Sequence, residues 1–323
     1  MTGLFQDAPD RERLGEATKN LVGLCNFPPP GTQITLAVSG GPDSSALLVL
    51  AVACGCVPHV IYVDHHQRNS SGADGEFVGA LAEAFGASFE CRSVEVSPGP
   101  NLEARLREAR LLVLPGGTAT GHTKDDLAET VLINLLRGAG TGGLAAMSKS
   151  RNGTWGERSR NYPILGLRRA HTGRLCESLG ISTVNDPMNL DRRFLRNRVR
   201  SELIPLMNDL ANRDVVEVLY RQSVVFADDH DLLESLAGAL DPTDARELTR
   251  SPAPLARRAL RNWIQASDPE GYVEDFESIE RVLQVASNSR LGCNLKSNRT
   301  VRRSKGRLTI EPAGPHVNSS TGT

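Results

Sequence analysis

The chain has few of the features that would tie it covalently, anchor it in a membrane or spread it over a polyanion. Its six cysteines, Cys25, Cys54, Cys56, Cys91, Cys176 and Cys293, include no C-x-x-C pair. Zinc and iron–sulfur ligation are therefore not expected, and reduced thiols in a cytoplasmic protein are the simplest account. No apolar run approaches the roughly 20 residues of a membrane span. Residues 1–20 are polar with mixed charge, so neither a signal peptide nor an anchor is expected, and no membrane partner. Aromatic residues make up 4% of the chain, too few to suggest a base-stacking platform. The formal net charge is −1, so nucleic acid would have to meet a local basic patch rather than the whole surface. The G-x-x-x-x-G-K-[ST] pattern is missing, which excludes a P-loop NTPase.

What is present begins with Ser39-Gly40-Gly41-Pro42-Asp43-Ser44, set between the apolar runs 34–38 and 46–53. The first run reads as a buried strand and the second as a helix. A small-residue turn between them leaves backbone N–H groups at a positive helix end, a cradle for phosphate or pyrophosphate. Two glycines let the backbone approach closely, and Ser39 and Ser44 add hydroxyls. Asp43 is a poor phosphate ligand but a good one for a Mg²⁺ ion that bridges to phosphates. An ordinary βα connection would use the same residue types. The hexapeptide S-G-G-x-D-S resembles the signature of the PP-loop (N-type) ATP pyrophosphatases. That resemblance implies an ATP site at Ser39, Gly40, Gly41, Pro42, Asp43 and Ser44, with cleavage to AMP and pyrophosphate.

Strand and helix patterns then alternate. Residues 33–39, 57–63, 88–96 and 118–121 read as strands; 43–53, 72–85, 101–112 and 124–137 read as helices. This predicts an α/β fold, a parallel sheet with helices on both faces and ligands beyond the carboxyl ends of its strands. The helix pattern 168–179 follows. From about residue 215 the pattern changes to the helices 215–240, 252–265 and 275–287, and a hairpin of 291–295 with 301–310. The expected division is a catalytic domain over 1–210, a smaller, mostly helical domain with the hairpin over 211–312, and a disordered tail over 313–323.

A second constellation starts at Gly121-His122 and continues through Asp125, Asp126, Glu129 and Thr130. Asp126, Glu129 and Thr130 share one helix face near its N-terminus. Acids there suit the helix dipole, and Thr123 or Asp125 would cap the helix. The dipole does not account for His122 beside them, nor for Asn134 and Arg137 further on. An acidic pocket for a cation or an ammonium group, next to a titratable histidine, does. Arg137 opens a glycine-rich turn, 137–144, and is suited to phosphate charge. The string G-H-x-x-D-D-x-A-E-T-x-L-x-x-L-x-R-G-x-G-x-x-G-L-x-x-M, unbroken from Gly121 to Met147, resembles the second motif of the tRNA(Ile)-lysidine synthetases. Asn101-Leu102-Glu103-Ala104 with Arg107 and Arg110 resembles that family too. So does Asp64-His65-His66-Gln67-Arg68, where the family more usually has His-Gly-Leu-Arg. His66 and Gln67 are departures.

Arg192, Arg193, Arg196, Arg198 and Arg200 form a basic cluster, with Arg193, Arg196 and Arg200 on one face if helical. Asp186, Asp191 and Glu202 could balance it as a solvated face; the functional alternative is contact with RNA phosphates. The segment resembles the family's D-x-x-N…R-N-x-x-R-x-x-x-x-P stretch, with Met188 where the family often has Ser. Arg299, Arg302, Arg303, Lys305 and Arg307 suit either a tRNA stem or a charged edge strand. Arg257, Arg258 and Arg261 form a weaker basic group.

The resemblance implies a PP-loop, adenine nucleotide alpha hydrolase-like fold and a ligase using ATP and Mg²⁺. Its partners would be L-lysine and the tRNA(Ile) with a CAU anticodon. The wobble cytidine would be adenylated and lysine attached at C2. Asp43 would hold the metal, and Asp126 and Glu129 the lysine, with His122 near the adenylate. Arg107 and Arg137 would stabilise the activated cytidine. Arg196, Asn197 and Arg200 would position the tRNA. A tRNA thiolase of the same superfamily is the alternative, but it would be expected to use paired cysteines. A small-molecule adenylating ligase would not need the 192–200 cluster. An RNA-binding protein without catalysis would not need the two motifs.

Overall fold

In the computed structural model, residues 11–64, 71–96, 105, 109, 112–147, 161–184 and 191–312 are described. The chain divides into two compact units, Met1–Ala227 and Asp228–Thr323. The expected helix over 101–112 lies largely outside the described residues. So do the motif positions 65–68, 101–104, 107, 110 and 185–189 and the tail expected over 313–323.

The first unit is built on four parallel strands, β1 (Gln33–Ala37), β2 (Val57–Asp64), β3 (Ser88–Ser93) and β4 (Ala119–Thr120), in the order β3-β2-β1-β4. Helices α2 (Pro42–Ala53) and α3 (Ser71–Ala84) connect the first three, after a leading α1 (Arg11–Thr18). Strand β2 shows why both sheet faces are covered. Val60 and Tyr62 join the core that holds Leu47, Leu50, Phe77 and Leu81, while Ile61 and Val63 pack with Val94, Ala109 and Val113 on the other face. Period-two side chains with no polar face make a two-sided buried strand. Helix α2 is buried from Ser44 to Ala51, so it too is apolar nearly all round. Gly55, at φ +77°, ends it in the left-handed conformation that glycine tolerates.

The chain steps outward from β1 to β2 and β3, then returns to β4 on the opposite side of β1. The β1–β4 junction is therefore the topological switch point, where open parallel sheets leave a crevice. Ala37 pairs with Thr120, so the turn after β1 and the turn after β4 leave the sheet side by side. They touch through backbone. A Cβ on Gly121 would lie 2.7 Å from the Asp43 carbonyl oxygen and 2.9 Å from the Ser44 nitrogen.

Asn161 bridges to Ala119 beside β4 and leads into α6 (Arg169–Ser178), which packs on α2. Between them in sequence come α4 (Lys124–Leu136) and the short α5 (Thr141–Leu144). Later, α7 (Leu195–Arg198), a π turn (Val199–Leu203) and α8 (Ile204–Ala211) form one continuous rod. Pro205 cannot donate to the carbonyl one turn back, and the wider turn falls just before it. Arg193 precedes this rod rather than sharing its face. The rod, α4 and the start of α9 (Val215–Gly238) close a second core of Leu127, Val131, Leu132, Val199, Ile204 and Val216.

The second unit contains α10 (Ala245–Arg250), α11 (Ala253–Ala266) and α12 (Phe276–Ala286). Apolar residues at three-to-four spacing, Ala256, Leu260 and Ile264 with Ile279, Val282 and Ala286, face a shared core. The sheet here has three antiparallel strands, β5 (Gly292–Asn294), β6 (Arg299–Ser304) and β7 (Arg307–Pro312). Residues 301–310, read from sequence as one strand, are thus two. Lys305 and Gly306 both have positive φ, 49° and 81°, as a two-residue I′ turn requires. Among the described residues no helix is long and apolar enough to cross a membrane.

Two glycine substitutions separate close approach from conformational freedom. Gly121→Ala forces backbone apart and is expected to cost about 1–3 kcal/mol by chemical denaturation. Gly173→Ala sits mid-helix in α6 with nothing within 4 Å, and is expected to gain about 0.5–1 kcal/mol.

Candidate active site

The turn after β1 is held by its own hydroxyls. Ser44 Oγ accepts from the Ser39 amide at 3.1 Å and donates to the Gly41 carbonyl at 3.0 Å. Ser45 Oγ donates to the Gly40 carbonyl at 3.3 Å. Gly40 has φ +83°, and a Cβ there would meet Val184 Cγ2 at 2.9 Å, so both its conformation and its surroundings demand glycine. Gly41 caps α2 and Pro42 is its first residue, which directs the first-turn amides and the positive end of the helix into the crevice.

Across the crevice, Thr123 caps α4 in a reciprocal box with Asp126. Asp126 Oδ2 accepts from the Thr123 amide and hydroxyl, both at 2.9 Å. Its other oxygen accepts from Arg169 at 2.9 Å. Asp126 thus divides its oxygens, one to the helix cap and one to the Arg169 guanidinium. Glu129 is fully buried and meets three guanidinium groups: Arg200 Nε at 2.7 Å, Arg169 at 3.2 Å and Arg196 Nε at 3.7 Å. Arg196 also donates to Thr130 Oγ1 at 2.9 Å. Thr120 Oγ1 lies 2.7 Å from His122 Nδ1, and Tyr162 stands edge-on to the ring at 5.2 Å, so the imidazole is fixed in rotation.

Sequence reasoning missed two residues of this cluster, Arg169 and Thr172, both on α6. Arg169 joins the halves of the site. Besides Asp126 and Glu129 it reaches Asp43 Oδ2 at 3.4 Å, and Thr172 Oγ1 hydrogen-bonds the other Asp43 oxygen. Its neighbour Arg168 turns away to Asp125, at 3.0 and 3.1 Å, and to Asp214. Asp125 also caps α6 through the Arg169 amide at 2.8 Å. A signal for these pairings exists in the sequence: two arginines at a helix start oppose the dipole and call for carboxylates from elsewhere.

Three carboxylates, Asp43, Asp126 and Glu129, therefore balance three guanidinium groups in a largely desolvated space. The balance is uneven. Burial pushes the Asp43 carboxyl up to about 6, the Thr172 hydrogen bond opposes this, and the Asp126 charge adds to it. At Asp126 burial also resists ionisation, but the Arg169 charge, then His122 and the Thr123 amide, hold the carboxyl below its usual range. Asp43 is thus the undercompensated member, and a divalent cation carried in on phosphates would suit it. Among the described residues no group of three His, Cys, Asp or Glu could form a self-contained metal site. Burial pushes the Cys25 and Cys176 thiols up to about 12 and Cys56 to about 11, so none of these supplies a thiolate.

The structure brings together Ser39 to Ser44, His122, Asp126, Glu129, Arg196 and Arg200. Arg137 does not join them; it is exposed at the far end of α4, about 16 Å along the axis from Asp126. Asn197 donates to the Asp191 carbonyl at 2.8 Å. Arg107 lies outside the described residues. Arg192 and Arg198 pair with Glu202, and Arg193 with Asp191, all on the surface. In the second unit Arg299 binds Asp268, Arg303 the Ala286 carbonyl and Arg307 Asp241, which staple sheet to helices. Arg302 stays 65% exposed. Arg257 pairs with Glu280, and Arg258 with Glu234.

Residues 12–207 match the family described as a PP-loop domain. The chain is 37% identical over 256 residues to a tRNA(Ile)-lysidine synthase from Nocardia farcinica, covering 74% of this chain and 77% of that one. It is 33% identical over 302 residues to one from Rhodococcus opacus, covering 87% and 90%. It is 35% identical over 289 residues to one from Gloeobacter violaceus, covering 84% and 86%.

Asp43→Asn tests the strained carboxylate. Ionisation in the unfolded chain starts near 3.8 and in the folded chain near 6, so folding is penalised increasingly across that window and fully above it. The variant is expected to match the parent near the lower value. At about pH 8 it should be more stable by an amount on the order of 2–3 kcal/mol, read from urea unfolding. A variant less stable than the parent at the higher pH contradicts this.

Proposed function

The chain belongs to the tRNA(Ile)-lysidine synthase family and carries its PP-loop domain, and from that premise we propose how its own residues divide the work. The substrates are ATP, L-lysine and the tRNA(Ile) with a CAU anticodon. The C2 carbonyl oxygen of the wobble cytidine attacks the α-phosphorus, the bond to the β-phosphate breaks, and pyrophosphate leaves. The lysine ε-amine, having lost a proton from its ammonium form, then attacks C2. The C2–O bond breaks and AMP leaves.

The observation that carries this reading is the meeting of Asp43 with Asp126 and Glu129 at one guanidinium, in the crevice between the turn after β1 and the start of α4. On one side, the turn 39–44 presents the first-turn amides of α2 to the leaving pyrophosphate at a positive helix end. Asp43 is the residue to hold Mg²⁺, which when bound neutralises phosphate charge. On the other side, Asp126 and Glu129 supply the negative charge that an ammonium needs, charge that Arg169 neutralises here. Arg196 and Arg200 are the residues that keep the Glu129 carboxylate oriented, a role closer to the chemistry than tRNA positioning. His122, fixed by Thr120 and next to Asp126, is the group to accept the ammonium proton. Arg137 and the exposed Arg192, Arg193 and Arg198 remain for RNA phosphates. No specific observation favours thiolation, since three of the thiols, Cys25, Cys56 and Cys176, are held strongly protonated by burial.

Labelled lysine should pass to a CAU-anticodon isoleucine tRNA transcript only with ATP, and not to methionine tRNA. Labelling without ATP, or none at all from folded protein supplied with Mg²⁺, contradicts the reading. Glu129→Gln keeps the side-chain shape but removes the charge. It is expected to lower lysine transfer by about 10²-fold, with pyrophosphate release affected less. Equal loss of both steps would move Glu129 out of the lysine pocket.

A further inference from the structure

Arg169 is unusual in contacting two sites at once. Its guanidinium reaches Asp43, which belongs to the nucleotide side, and Asp126 and Glu129, which belong to the amino-acid side, at 3.4, 2.9 and 3.2 Å. Its main chain is fixed, because Asp125 caps its amide at 2.8 Å. Its side chain is 26% exposed, so the head group can leave without unfolding the helix. The partners left behind are unequal. Glu129 keeps Arg200 and Arg196. Asp43 keeps Thr172 on one oxygen, and Asp126 keeps Thr123 on one oxygen. Departure of Arg169 therefore leaves one carboxylate oxygen in each substrate site without a hydrogen-bond donor among the described residues, Asp43 Oδ2 and Asp126 Oδ1, the latter with Arg200 at 4.0 Å and the His122 and Arg196 charges further off. Stranding a buried anion is costly, and it is relieved only when a new cation arrives.

We propose that Arg169 is a resident cation that occupies the lysine subsite until the nucleotide with its metal ion draws it away, so that nucleotide binding prepares the site for lysine. This rests on the assignment of Asp126 and Glu129 to lysine made above. An ammonium and a guanidinium cannot share the same two carboxylates without repulsion, so lysine meets a filled site in the free protein. A divalent ion at Asp43 removes one of the attractions that hold Arg169, and the phosphates offer its guanidinium a bidentate partner within the same crevice. The two ligands are thereby coupled, and by linkage lysine must favour nucleotide by the same factor. Occupancy by lysine of a site that holds no nucleotide is thereby disfavoured.

The test is calorimetric titration of lysine into the full chain, with and without Mg²⁺ and α,β-methylene-ATP, whose α–β link cannot be cleaved. For the parent, the nucleotide analogue should tighten lysine binding by about 10-fold or more. Arg169→Gln should bind lysine without nucleotide more tightly than the parent does, and the ratio with and without nucleotide should fall towards one. An unchanged ratio, or weaker nucleotide-free binding in the variant, overturns the proposal alone. Absence of lysine binding in both proteins, even with analogue and tRNA(Ile), overturns the pocket assignment and the proposal together. Should Arg169→Gln not fold, the parent protein suffices. Its Arg169 Nε–H resonance, identified by its loss in Arg169→Lys, should shift on adding the magnesium–nucleotide analogue before any lysine. A resonance that stays in place while nucleotide binds overturns the proposal.

Discussion

A desolvated set of three carboxylates and three guanidinium groups sets the positions of four helical elements in the first unit. Asp43 comes from the first turn of α2, Asp126 and Glu129 from α4, Arg169 from α6, and Arg196 and Arg200 from the rod that starts at Leu195. Such a set is a weak source of stability, because removing six charges from water offsets most of their attraction. Its value is in orientation. Glu129 is turned by three donors, and Asp126 divides its two oxygens between a helix cap and the crevice. Neither carboxylate has to be ordered when a cation arrives.

The arrangement depends on where the strands place the turns. Parallel strands β1 and β4 are neighbours, and their exits are close enough that Gly121 rests on the backbone of Asp43 and Ser44. Side chains at this contact would push apart the nucleotide turn and the acidic helix. The apolar strands and the buried α2 thus fix one backbone contact, between the turn that carries Asp43 and the turn that leads into the helix of Asp126 and Glu129.

Much of this was legible in the sequence because it is local. The alternation of strand and helix, the small-residue turn at 39–44 and the grouping of Asp126 with Glu129 follow from periodicity and turn chemistry over a few residues. What was not legible is which arginine faces which acid. Arg169 meets Asp43 across 126 positions of sequence, and Arg200 meets Glu129 across 71. No local pattern separates Arg196 and Arg200, turned inward, from Arg192, Arg193 and Arg198, paired on the surface. Arg137 carries the same lesson in reverse. It follows the acidic residues in sequence, but the helix rise carries it far from them. The split of 301–310 into two strands turned on Lys305-Gly306, whose lysine is a rare choice for a positive φ.

The pairing of β1 with β4 has a consequence for how the protein comes into being. Strand β1 and the 39–44 turn are made early, but the strand beside them, the acids and the cations that balance them follow much later in the chain. Contacts of such long sequence separation form late and slowly. During synthesis the nascent domain carries Asp43, Asp126 and Glu129 before it carries Arg169, and Arg169 before Arg200. Until the last of these is made, the three acids lack part of the positive charge that balances them in the full chain.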